Sequence, residues 1–224
     1  MATLLHLDSS IWPTEVSVSR AVTAAFRTAW QDQDPEGIVI YRDLAAEPVP
    51  HLTAPGASAA YVDPTTHSPE QRTAFAARLT LADELDQADV VLIGAPMFNF
   101  TVPATLKAWL DNVIVQGRNA GDPQIQTASG TPVVVVASRG GSYAPGTPRD
   151  GFEYVQTYLE SVLTDMLGAQ VEFIVPELTM AHAVPAMADL VPIAEASRIS
   201  SLRIAAERAR NLAANFSAGT SLSA

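Results

Sequence analysis

Five short runs of apolar residues punctuate this chain, and the stretches between them carry helical periodicity. The runs span residues 3–7, 38–41, 90–95, 133–137 and 171–175. The third and fourth are apolar on both faces, which suits the centre of a parallel sheet covered by helices. Between the first two runs, Val18, Val22, Ala25, Phe26, Ala29 and Trp30 predict a helix over 19–31. Ser68-Pro69-Glu70-Gln71 has the form of a capping box with proline at the first helical position, and starts a helix that runs to about residue 87. Leu106, Trp109, Leu110, Val113 and Ile114 predict a third helix, which begins at Pro103. A fourth carries Phe152, Val155, Leu159, Val162, Leu163 and Met166, and Gly168 closes it. A last helix carries Ile199, Leu202, Ala206, Ala209, Ala213 and Phe216. Residues 45–66 are proline-rich with little periodicity and read as a long surface connection. Alternation of this kind predicts an α/β fold: a doubly wound, five-stranded parallel sheet with helices on both faces. We read residues 1–224 as one domain, with residues 217–224 a frayed tail.

Composition narrows the chemistry. With no cysteine, disulfides, thiolate metal sites, iron–sulfur clusters and a thiol nucleophile are excluded. Lys and Arg number 13 against 24 Asp and Glu, and the positive residues form no cluster, so no nucleic-acid partner is expected. No apolar run approaches membrane-spanning length, so no membrane partner is expected either. The first residues lack a basic segment and a signal-peptide core, which points to the cytoplasm. His51, His67 and His182 lie apart without ligand spacing, so no metal site is expected. His6, Asp8 and Ser10 share the composition of a hydrolytic triad, but no nucleophile elbow accompanies them. A satisfied strand histidine is the simpler reading of His6. Asp83, Glu84, Asp86 and Asp89 read as a solvated helix end.

Ligands of open α/β sheets bind beyond the carboxyl ends of the strands, where the strand order reverses. Three unusual loops fall there. Ser9 and Ser10 follow the first strand, and Ser17-Val18-Ser19 opens the next helix. Hydroxyls and first-turn N–H groups suit a phosphate, and a plain helix cap explains the same serines. Neither a dinucleotide glycine fingerprint nor a P-loop is present. Ala95-Pro96-Met97-Phe98-Asn99-Phe100 follows the third strand and offers aromatic surface with a polar edge, or simply an apolar loop folded on the core. Ser138-Arg139-Gly140-Gly141 follows the fourth, where two glycines permit close backbone approach or a left-handed turn.

These segments, together with Tyr41-Arg42-Asp43-Leu44-Ala45, resemble the FMN-dependent NADH azoreductases, also called FMN-dependent NADH:quinone oxidoreductases. The resemblance runs from about residue 4 to residue 175. It implies a flavodoxin-like fold and a homodimer with two FMN sites near the interface. Carried onto this chain, it assigns Ser10, Ser17, Val18 and Ser19 to the flavin phosphate. Met97, Phe98, Asn99 and Phe100 would border the flavin ring, and Ser138, Arg139, Gly140 and Gly141 would complete its pocket. Val18 and Phe98 are variants of what the family often carries. Residues 117–123 depart from the family's Gly-x-Thr-Phe-x-Tyr segment near the substrate and are shorter.

The activity so implied is a ping-pong reaction in which NADH reduces FMN and a quinone or azo-type aromatic acceptor then replaces it. No side chain acts as an essential acid or base, because the chemistry lies on the cofactor. Backbone N–H groups of residues 98–100 and 140–141 would stabilise negative charge on the reduced ring. The competing readings are a non-enzymatic FMN electron carrier, a flavin-free scaffold, and a tailoring reductase with one dedicated substrate.

Overall fold

The computed structural model describes residues 1–220. Its five strands are β1 (Thr3–Asp8), β2 (Ile38–Asp43), β3 (Val90–Gly94), β4 (Pro132–Val136) and β5 (Gln170–Ile174). They form one parallel sheet in the order β2-β1-β3-β4-β5. Six helices surround it: α1 (Val18–Gln33), α2 (Ala54–Ser58), α3 (Pro69–Asp86), α4 (Ala104–Val113), α5 (Val155–Glu160) and α6 (Val191–Thr220). Alternate strand residues point to opposite faces, so the sheet has two cores. Leu4, Leu92 and Val134 pack with Phe26 and Trp30 of α1 and with Ala205, Ala209 and Leu212 of α6. Leu5, Val91, Ile93 and Val135 pack on the other face with Leu85 of α3, Trp109 of α4 and Leu159 of α5. The doubly wound sheet expected from the apolar runs is the observed architecture.

Local signals account for several boundaries. The α3 capping box forms in full: Ser68 Oγ accepts from Gln71 N and the Gln71 side chain accepts from Ser68 N. Gly168 takes φ +73°, the left-handed turn that ends the preceding helix.

Other expectations are corrected. The connection over 45–66 is not structureless, for it carries α2 and two short 3₁₀ turns. Buried Arg78 of α3 explains this order, since its guanidinium donates to the carbonyls of Gly56, Asn112 and Ile114 and ties the segment to α4. The helix predicted over 152–166 begins only at Val155 and widens to a π-helical turn over Ser161–Met166. Phe152 and Met166 are exposed, so neither belongs to its core face. In α6, Ile199 is exposed, and Ala194, Ser201, Ala205, Ala209, Leu212 and Ala213 make the buried stripe instead. α6 spans Val191–Thr220, and residues 221–224 of the expected tail lie outside the described residues. The acidic end of α3 is not simply solvated: Glu84 pairs with Arg42, Arg118 joins Asp83 and Asp86, and Asp89 accepts from Thr3 N.

Candidate functional site

The sheet order reverses at β1, from which the chain crosses first to β2 and later to β3 on the other side. The crevice at the carboxyl ends of β1, β3 and β4 is therefore the expected ligand edge. All three candidate loops leave the sheet there. Ser9 joins the first to β3 by N–H and hydroxyl bonds to Gly94 O, at 3.2 and 2.6 Å. Met97 N donates to Ser138 O (2.8 Å), which couples the second loop to the third.

The first loop gathers neutral donors of the kind that suit an anion. Ser17 caps α1, its Oγ accepting from Arg20 N (3.3 Å) and lying 3.1 Å from Ser19 Oγ. The N–H groups of Ile11, Val18 and Ser19 find no acceptor among the described residues. Orphan first-turn donors at the positive end of a helix, joined by the hydroxyls of Ser10, Ser17 and Ser19, fit a phosphate.

Beneath this loop lies a charged group that sequence reasoning missed. Arg20 is buried and donates to Ser10 O through Nε (3.2 Å) and Nη2 (2.6 Å). Nη2 also meets Asp43 Oδ1 at 2.7 Å, while Nη1 meets Tyr41 Oη at 3.3 Å and lies 3.6 Å from Asp8 Oδ2. Burial by itself would raise the Asp8 carboxyl, but His6, Thr23 and Arg20 together hold it below the usual carboxylate value. His6 is buried on its strand with Nε2 paired to Asp8 Oδ2 at 3.4 Å, while Nδ1 has no hydrogen-bond partner among the described residues.

The second loop is strained. Phe98 and Thr101 exchange backbone bonds across a two-residue turn in which Asn99 has φ +50° and Phe100 φ +73°. A bulky L-residue seldom adopts that region, and such strain persists only where surrounding contacts impose it. Here Tyr154 N donates to Phe100 O (3.1 Å), and the Phe100 ring meets those of Tyr143 and Phe152 at 6.3 and 5.5 Å. The Phe98 N–H is used within the turn, so it is not free to stabilise a ring. Those of Asn99 and Phe100 find no acceptor among the described residues.

In the third loop, neither Gly140 nor Gly141 adopts a left-handed turn, and space within the described residues disfavours a side chain only at Gly140. A Cβ on Gly140 would stand 2.7 Å from Met180 Cγ, whereas one on Gly141 would meet only Tyr143, at 3.9 Å. Both N–H groups lack an acceptor among the described residues. Arg139 turns to Glu177 (Nη2–Oε1 2.7 Å) and lies over the Tyr143 ring. The loop is backed by a segment that sequence reasoning matched only loosely: Leu178, Thr179 and Met180 donate to the carbonyls of Gly141, Arg139 and Gly140. A cavity of about 720 Å³ opens between them, apolar at Leu178, Met180 and Met187.

This geometry can be set beside known proteins. The flavodoxin-like fold family matches residues 2–194. The chain is 61% identical over 218 residues to the FMN-dependent NADH:quinone oxidoreductase of Streptomyces avermitilis, covering 97% of this chain and 100% of that one. The enzyme of the same description from Streptomyces coelicolor is also 61% identical, over 97% of this chain and 98% of its own. The chain belongs to the FMN-dependent NADH:quinone oxidoreductase family. In fold it superposes on an azoreductase from Bacillus anthracis with a TM-score of 0.80 at 23% identity, over 94% of this chain and 100% of that one.

As a member of this family, the chain brings all twelve sequence-predicted positions to one edge of its sheet. Arg20, Tyr143, Leu178 and Met180 belong to the same edge and were missed. The signal for Arg20 was a cation in the first turn of α1, with the carboxylates of Asp8 and Asp43 at the ends of the first two strands. Residues 117–123 are tied down elsewhere: Arg118 to α3, and buried Asn119 to the backbone of Val113 and Val115.

Proposed function

We propose that this chain is a cytoplasmic, homodimeric, FMN-dependent oxidoreductase that takes electrons from NADH and passes them to a quinone or azo-type aromatic acceptor by a ping-pong mechanism. The observation that carries the reading is the meeting of two unlike features at one sheet edge: a neutral anion cradle and a strained aromatic turn. Ser10, Ser17, Val18 and Ser19 hold the phosphate of FMN, by hydroxyls and by the orphan N–H groups of the α1 start. Met97, Phe98, Asn99 and Phe100 line one side of the flavin ring, and Ser138, Arg139, Gly140 and Gly141 the other. When bound, FMN supplies the hydride-accepting and electron-donating chemistry. The protein positions it and excludes water, while the Asn99, Phe100, Gly140 and Gly141 N–H groups offer preorganised dipoles to negative charge on the ring.

No helix among the described residues is long and apolar enough to cross a membrane. Exposed Ile11, Trp12, Val16, Phe152 and Tyr154 surround the site and support a second copy packing against this edge. Residues 117–123 bring no aromatic side chain to the acceptor, which favours an acceptor preference of this chain's own.

The test is an absorbance spectrum after FMN addition and desalting, repeated anaerobically with NADH. Retained flavin bands that bleach with NADH support the reading. Retained bands that NADH leaves unchanged would favour an electron carrier, and a colourless protein would end the assignment. Light scattering checks the dimer, for which a monomeric mass is the contrary result.

A further inference from the structure

Arg20 presents a puzzle for a phosphate site. It lies in the first turn of α1, beside the cradle, yet its donors go to Ser10 O, Asp43 and Tyr41, with Asp8 adjacent. Two carboxylates outweigh its single charge, so little attraction remains for an anion. What the side chain does hold is a peptide plane. Nε and Nη2 grip the Ser10 carbonyl from one side with two bonds. In a trans peptide the C=O and the following N–H point in opposite directions. Drawing the Ser10 oxygen towards Arg20 therefore turns the Ile11 N–H the other way, out of the interior, where it finds no acceptor among the described residues. Asp43 and Tyr41 lie at the carboxyl end of β2 and Asp8 at that of β1, so the grip is anchored in the sheet.

We infer that Arg20 is a positioning residue for the cofactor's phosphate: it fixes the Ser10–Ile11 peptide so that the Ile11 N–H joins those of Val18 and Ser19 in the cradle. This rests on the phosphate of FMN lying at the start of α1. The role needs the planar fork and not the charge alone, because a lysine ammonium is a point donor and cannot reproduce the two-pronged grip.

The experiment titrates flavin-free wild type, Arg20→Lys and Arg20→Gln with FMN and with riboflavin, which lacks the phosphate, following flavin fluorescence, with a thermal melt of each apo form. Both variants should lose about tenfold or more in FMN affinity while riboflavin affinity stays within about twofold, so that the preference for FMN collapses. Wild-type FMN affinity in Arg20→Lys would show that charge suffices and overturn the inference. A parallel loss of FMN and riboflavin would reduce Arg20 to a general structural role and overturn it too. If Arg20→Gln does not fold, Arg20→Lys decides alone. A wild type that binds both flavins equally places the phosphate elsewhere, a separate failure of the site assignment that takes the inference with it.

Discussion

Ser17 has two roles that one substitution separates. It caps α1, and it is assigned to the FMN phosphate. Aspartate caps a helix as well as serine does, and its charge favours the helix N-terminus by about 0.3–1 kcal/mol. For a domain of this size about 1 kcal/mol moves the melting temperature by roughly 2–4 °C, so apo Ser17→Asp should melt level with wild type or up to about 4 °C above it. The same carboxylate faces a ligand phosphate carrying close to two negative charges. At an effective dielectric constant of about 20 and a separation of about 4 Å, each pair of unit charges repels by about 4 kcal/mol. Salt and water at an open loop reduce the sum severalfold, leaving about 2–3 kcal/mol, or roughly 30- to 150-fold in the dissociation constant for FMN. Riboflavin should bind as before. Ser17→Ala is the control: it loses the cap, about 1 kcal/mol of stability, without adding repulsion. Flavin fluorescence titration and a melt of the apo protein read both quantities. FMN bound by Ser17→Asp within about threefold of wild type would refute the phosphate placement, and a markedly lowered melting temperature would refute the cap argument.

Gly141→Val brings its Cβ into ordinary contact with Tyr143, at 3.9 Å, and nothing nearer, so the apo melting temperature should move by less than about 2 °C. FMN retention through desalting should nonetheless fall about tenfold if the ring lies against this backbone, and unchanged retention would remove Gly141 from the site. Arg78→Met strips charge-assisted bonds from the carbonyls of Gly56, Asn112 and Ile114, a loss of about 3 kcal/mol. Calorimetry should show a fall of roughly 6–12 °C, and a fall below about 2 °C would contradict the anchoring role. Burial raises the Asp43 carboxyl, but the Arg20 bond and the Ala45 and Ala46 N–H groups outweigh it, so the folded value lies below the unfolded one. Its contribution is thus complete above the unfolded value of about 3.9 and disappears as pH falls through the folded value. Urea midpoints should hold steady above about pH 5 and drop below about pH 4, with a shallower acid limb in Asp43→Asn; an identical limb would exclude Asp43 as a source.

How much of this was legible in the sequence depends on how locally each feature is determined. The runs at β3 and β4 declare buried parallel strands because both faces are apolar, and the Ser68 capping box is complete within four residues. Phe152 and Ile199 fit a helical period yet stand exposed, since the period says which residues share a face and not whether another element covers it. The order over 45–66 depends on Arg78, whose partners lie up to 36 residues away. The site divides in the same way. Its serines, aromatics and glycines are visible as residue types, but its donors are backbone N–H groups, which every residue except proline possesses. What distinguishes the N–H groups of Ile11, Val18 and Ser19 is that nothing among the described residues accepts from them, and for Ile11 that accords with the direction of a carbonyl held by Arg20. Arg20 in turn has meaning only once the parallel pairing of β1 with β2 sets Asp8 beside Asp43. A sequence motif can therefore mark a candidate phosphate site, while the Arg20 contacts beneath it join strand ends that no local pattern encodes.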